Sequence, residues 1–241
     1  VQLLVSVRMA AEVDAALEGG ADVIDAKDPR RGALGAVTAA ELAAVALRAG
    51  SEVPLSAALG DVVAQREAAR LVGGLAVPPR AAPTYAKLAL PWPLEPTGAD
   101  VLRAAVAAAA RHPAHPRIVA VGYADRLTHA QLFELITVAS GAGADGVLLD
   151  TADKDGRSLL ASVPAECLGR WVAAAREAGL LAALAGSLGA AEIPEAVRSG
   201  ADVIGVRGAA CADGRNGRVS AERVRALRTA IDAATHVSAS R

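Results

Sequence analysis

Three stretches, "EGGADVIDAKD" (Glu18–Asp28), "GAGADGVLLDTADKD" (Gly141–Asp155) and "RSGADVIGVRGAA" (Arg198–Ala210), share one phrase: a glycine, an Ala-Asp pair and a short apolar run. The glycine suits the C-terminal cap of a helix and the Ala-Asp pair opens the next strand, so one helix-to-strand unit is being reused. Working outward, β-rich runs occur at Leu3–Val7, Asp22–Ala26, Pro54–Leu59, Thr84–Leu90, Ile118–Gly122, Gly146–Asp150, Leu180–Ala185 and Val203–Val206. Alanine-rich segments with helical spacing separate them, among them "TAAELAAVALRAG", "REAARLVGGLA", "GADVLRAAVAAAARH" and "LGRWVAAAREAG". The strands are apolar without strict alternation, as in parallel strands covered on both faces. Eight such alternations in 241 residues favour a single (β/α)8 TIM barrel. An open doubly wound sheet would more naturally show a GxGxxG turn near its start, and none is present. The barrel is expected over residues 1–235, with "HVSASR" at 236–241 as a frayed tail.

Composition narrows the function classes. Hydrophobic residues make up 53% of the chain and aromatic residues only 2%, so packing rests on Ala, Val, Leu and Ile. A formal net charge of −1 gives no footprint for nucleic acid or an anionic membrane. Cys167 and Cys211 have no metal-ligand or disulfide spacing and read as ordinary thiols. No apolar run is long enough for a membrane span, and "VQLLVSV" lacks the features of a signal peptide. A cytoplasmic protein is expected, and its alanine-rich outer helices offer faces for a homo-oligomer without specifying a symmetry.

Lysine usage is more informative. Of 25 basic residues only three are lysines, Lys27, Lys87 and Lys154, and the rest are arginine. Arginine stays protonated, whereas a lysine in a dry or cationic setting can lose its proton near neutral pH and act as an amine nucleophile. Surface lysines normally sit on helix faces, and none of these three does. In the barrel reading Lys27 closes strand two, Lys87 lies within strand four and Lys154 follows strand six, so all three face the C-terminal mouth where barrel active sites form. Asp25 and Lys27 are two apart on a strand and point the same way. A neighbouring ammonium and desolvation lower an amine's pKa, and carboxylates beside it can move protons during carbinolamine dehydration and enamine formation. Asp25, Asp61, Asp125 and Asp150 fall at predicted strand ends. Asp25 and Asp150 are the stronger candidates because each shares a motif with a lysine.

The last two strands end in "LAGSLGA" and "IGVRGAACADGRNGR". Loops after strands seven and eight of such barrels often bind phosphate through backbone N–H groups. Gly186, Ser187, Arg207 and Gly208 are therefore the expected phosphate contacts, and a small phosphorylated carbonyl compound is the expected substrate. No metal or other cofactor is required, since an iminium would serve as the electron sink.

Taken together, "LLVSV", "GGADVIDAKDPRRGALGA", "GYAD", "LLDTADKDGRSL", "LAGSL" and "DVIGVRGAAC…GRNGR" resemble the (5-formylfuran-3-yl)methyl phosphate synthases, a family of early methanofuran biosynthesis. The resemblance runs in order along nearly the whole chain. It implies a barrel lyase that condenses two molecules of glyceraldehyde 3-phosphate, releasing phosphate and water. By the same resemblance Lys27 matches the Schiff-base lysine, Lys87 an acid/base lysine, and Asp25, Asp150 and Lys154 further functional positions. The loops after strands three and four, "GDVVAQREAAR" and "TYAKLALPWPLEPTGAD", depart from the family pattern. Another Schiff-base aldolase acting on a sugar phosphate, a pyridoxal-phosphate protein and a non-catalytic sugar-phosphate-binding barrel use the same kinds of residue.

Overall fold

The computed structural model describes residues 1–51, 53–75, 82–91 and 94–239. Eight parallel strands close into a barrel in sequence order. They are β1 (Gln2–Val7), β2 (Val23–Ala26), β3 (Leu55–Asp61), β4 (Tyr85–Ala89), β5 (Arg117–Tyr123), β6 (Gly146–Asp150), β7 (Leu181–Leu184) and β8 (Val203–Val206). Closure is complete because β1 pairs with both β2 and β8. The outer ring holds α1 (Val13–Glu18), α2 (Ala39–Ala49), α3 (Gln65–Gly73), α4 (Ala99–Arg111) and α5 (His129–Ala142). It continues with α6 (Leu159–Ser162), α7 (Ala165–Glu177), α8 (Ile193–Arg198) and α9 (Ala221–Ala239). The expected barrel is therefore observed, and β6 and β8 have the expected bounds.

The repeated phrase has a structural cause. In each copy the aspartate exchanges two hydrogen bonds with one residue of the preceding strand. The amide of Asp22 donates to the Leu3 carbonyl at 2.9 Å, and its carboxylate accepts from the Leu3 amide at 2.7 Å. Asp145 does the same with Ile118, and Asp202 with Ala182. Each carboxylate also meets an arginine, Arg228, Arg117 and Arg176 respectively. The Ala-Asp pair thus satisfies backbone groups at the strand's entry, where the ladder would otherwise end with open donors.

Helix starts follow from the side chains that cap them. Thr38 and Glu41 form a capping box at α2, and Thr128 and Gln131 form another at α5. Core packing runs in two layers. One lies between strands and helices, where Trp171 is wholly buried and its indole N–H donates to the Leu132 carbonyl at 2.8 Å. The other fills the barrel with small and branched side chains such as Ala58, Val119, Val121, Leu148, Ala183 and Val203.

One expectation is adjusted. The stretch from His236 to Ala239, expected as a frayed tail, continues α9, because the run from Ala221 to Ala239 contains no glycine or proline to stop it. After β4 a π-helical turn spans Leu94–Gly98. Trp92 and Pro93, part of the departing loop, lie outside the described residues.

Candidate active site

The C-terminal mouth of the barrel opens into a cavity of about 460 Å³ whose lining includes Lys27, Lys87, Lys154 and Asp150. Small residues inside the barrel make the room: Gly205 on β8 is one, and a Cβ there would stand 3.3 Å from the Ala185 Cβ. Asp25 on β2 is fully buried and holds the cluster together. The Ser6 hydroxyl on β1 donates to its Oδ2 at 2.8 Å, and Lys87 on β4 brings Nζ to 2.8 Å from its Oδ1. Asp150, the last residue of β6, is paired with Lys154 four residues on and lies 3.9 Å from the Nζ of Lys27, the residue just beyond β2. Three amines thus surround two carboxylates in a site almost closed to water.

Those neighbours set the protonation states. Burial pushes the Lys27 ammonium down, and although Asp150 and Asp25 oppose this, Lys87 and Lys154 add to it, leaving Lys27 at about 8. Burial would raise the Asp25 carboxyl, but Lys87, Lys27 and the Ser6 hydroxyl outweigh it and hold the group below its ordinary range. Asp150 is held low in the same way by Lys27 and Lys154 against burial. The arrangement provides an amine that can be neutral near physiological pH, flanked by ionised carboxylates able to accept protons.

The loops after β7 and β8 rim the cavity. Gly186 has φ of +104°, and a Cβ there would stand 2.9 Å from Thr151 Cγ2 and 3.0 Å from the Thr151 amide nitrogen. Only glycine permits so close an approach. Ser187 follows with a left-handed φ of +52°, and its hydroxyl donates to the Lys154 carbonyl at 3.4 Å, joining this loop to the one carrying that lysine. Gly208 opens a short 3-10 turn on the cavity wall.

Arg207 departs from its expected part as the phosphate cation. Its guanidinium is buried and makes five hydrogen bonds within the protein: two to the Glu12 carboxylate and one each to the carbonyls of Ser6, Arg215 and Gly217. That uses all five donors an arginine has. The half-buried cation at the rim is instead Arg215, within the "GRNGR" run. Arg215 gives one hydrogen bond, 2.7 Å, to the Gly32 carbonyl in the loop after β2. Asp61 and Asp125 are not part of the cluster. Asp61 accepts from the Tyr123 hydroxyl, and Asp125 accepts from the amides of Ala152 and Asp153 at 2.8 Å each, bracing the loop that carries Lys154.

Sequence reasoning singled out neither Ser6 nor Arg215. Ser6 sits in an apolar strand and gains meaning only through the register that places it beside Asp25. Among the described residues no group of three or more His, Cys, Asp or Glu is placed to hold a metal ion, and both cysteines are buried free thiols.

The fold and site define a (β/α)8 barrel with a buried lysine–carboxylate cluster at its C-terminal mouth. The family model of 4-HFC-P synthase matches residues 3–228, and this chain belongs to that family. The chain is 37% identical over 234 residues to the (5-formylfuran-3-yl)methyl phosphate synthase of Methanothermobacter thermautotrophicus, covering 95% of this chain and 98% of that protein. It is 35% identical to the Methanocaldococcus jannaschii protein of the same name, over 94% of this chain and 97% of the relative. Among solved structures, 3-hexulose-6-phosphate synthase from Salmonella typhimurium superposes with a TM-score of 0.68. At 16% identity, with 97% of this chain and 100% of that one covered, the likeness concerns the fold alone. The described residues include no helix long and apolar enough to cross a membrane.

Proposed function

We propose that this protein condenses two molecules of glyceraldehyde 3-phosphate to (5-formylfuran-3-yl)methyl phosphate through a Schiff base on Lys27. The observation that carries the reading is the unequal pairing of the three amines. Lys87 is held 2.8 Å from Asp25 and Lys154 is paired to Asp150, whereas the nearest carboxylate oxygen to Lys27 is 3.9 Å away. Lys27 is therefore the amine freest to shed its proton and attack a carbonyl.

In this reading the Lys27 amine adds to the carbonyl carbon of one triose phosphate and loss of water gives an iminium. A proton leaves the adjacent carbon, and the resulting enamine attacks the aldehyde of the second triose phosphate. Asp25 and Lys87 form the proton-transfer pair, with the Ser6 hydroxyl fixing the carboxylate. Asp150 and Lys154 orient the intermediate and balance its charge. Phosphate sits at the rim, against the amides of Gly186, Ser187 and Gly208 and the Arg215 guanidinium. The 2-hydroxyl of the second triose then closes the ring on the iminium carbon and expels the Lys27 amine, and elimination of phosphate and water gives the furan.

The test is borohydride reduction in the presence of glyceraldehyde 3-phosphate, followed by peptide mass spectrometry. A reduced adduct on Lys27 supports the mechanism, and product analysis separates a furan synthase from an ordinary aldolase. Substrate binding with no adduct on any lysine rejects the iminium.

A further inference from the structure

One polar group on the cavity wall has no role in that scheme. Ser56 on β3 is fully buried and borders the cavity, and its hydroxyl has no hydrogen-bond partner among the described residues. Strand register places Ser6, Asp25, Ser56 and Tyr85 in one row across β1 to β4. Asp25, beside it in that row, accepts from the Ser6 hydroxyl at Oδ2, and its Oδ1 is ion-paired with the Lys87 ammonium at 2.8 Å but accepts no hydrogen bond among the described residues. The rest of the strand core, Leu55, Ala57, Ala58 and Leu59, is apolar. Alanine would fill this position without leaving a hydroxyl unsatisfied, and buried polar groups in proteins are as a rule hydrogen-bonded. The hydroxyl is therefore placed for a partner that enters with a ligand.

We propose that Ser56 binds the substrate through the hydroxyl on the carbon next to the reacting carbonyl. This rests on the Lys27 reading given above and deepens it. Glyceraldehyde 3-phosphate carries three kinds of oxygen. The carbonyl oxygen leaves as water when the imine forms at Lys27. The phosphate belongs at the rim, because the deeper wall, with Leu4, Val23, Val119 and Leu181, is apolar and offers a dianion nothing. Only the 2-hydroxyl remains to meet a neutral hydroxyl at the depth of Asp25. Ser56 thereby selects α-hydroxy aldehydes over plain ones, since a site built to hydrogen-bond a hydroxyl discriminates against the analogue that lacks it.

Calorimetric dissociation constants for glyceraldehyde 3-phosphate and for 3-oxopropyl phosphate, which lacks only the 2-hydroxyl, test this on the full chain. Wild-type protein should prefer the hydroxylated ligand. Ser56→Ala should weaken that ligand by roughly 3- to 10-fold, the range of one net hydrogen bond, and leave the deoxy ligand within about twofold. Ser56→Thr, which keeps the hydroxyl, should restore the preference. Equal weakening of both ligands, no weakening of either, or a wild-type protein that binds neither overturns the proposal. The borohydride adduct, scored separately in wild-type protein, tells whether the Lys27 reading has failed instead.

Discussion

The Arg207 guanidinium donates from Nε to the carbonyl oxygen of Arg215 at 3.0 Å, so one arginine fixes the backbone that presents the other. The two substitutions should therefore separate. Arg207→Ala leaves the Glu12 carboxylate buried and unpaired and should cost roughly 3–5 kcal/mol of folding stability. Denaturant titration measures it. Arg215→Ala should leave the denaturation midpoint nearly unchanged and raise KM for the phosphorylated substrate by about tenfold or more, as expected for a charge-assisted contact. Loss of phosphate affinity in a well-folded Arg207 variant, with none in the Arg215 variant, would reverse the assignment.

Lys27→Arg keeps the charge but removes the nucleophile, because a guanidinium does not deprotonate. Turnover should fall to the detection limit while circular dichroism and thermal midpoint stay close to wild type. An active arginine variant would sink the Schiff-base mechanism.

The depressed Lys27 ammonium gives a signed pH dependence. Below about 8 the amine is mostly protonated and cannot attack, so log kcat/KM should climb with a slope near one and level off above that value. A pH–rate profile flat from about pH 6 to about pH 9 would contradict the assignment.

Asp25→Asn removes a carboxylate whose folded pKa lies below its unfolded one. Such a group contributes stability above the unfolded value, lost as pH falls through the folded value. The variant should be less stable at neutral pH, by roughly 3–5 kcal/mol because Lys87 is left buried without its counter-ion. Its stability should also depend less on pH in the acid range than that of the wild type, which urea titrations at several pH values would show.

Gly186→Ala tests the rim. The added Cβ meets the Thr151 backbone and must adopt a left-handed φ. Stability should fall by roughly 1–3 kcal/mol, with a larger loss in kcat/KM as the loop pulls away from the cavity. A variant with wild-type kinetics would mean that the amides at Gly186 and Ser187 do not meet substrate.

Much of this architecture was legible because its causes are local. The Gly-Ala-Asp phrase marks strand entry through contacts that recur at Asp22, Asp145 and Asp202. The scarcity of lysine pointed to Lys27, Lys87 and Lys154 before any geometry was known, and all three line one cavity. Arg207 was not legible in the same way, because its partner Glu12 is 195 positions away and nothing in "VRGAA" records that pairing. Ser6 and Ser56 were hidden for a related reason. A serine in a strand carries no signal of its own, and only barrel register sets both beside Asp25.

The confinement of every lysine to the cavity has an analytical use. All three ε-amines of this sequence line the cavity, so acylating reagents reach lysine only through its mouth. Succinimidyl esters or reductive methylation would therefore behave as occupancy gauges. Ligand that fills the barrel should shield Lys27, Lys87 and Lys154 together, letting the mass of the lysine-bearing peptides count empty and filled sites.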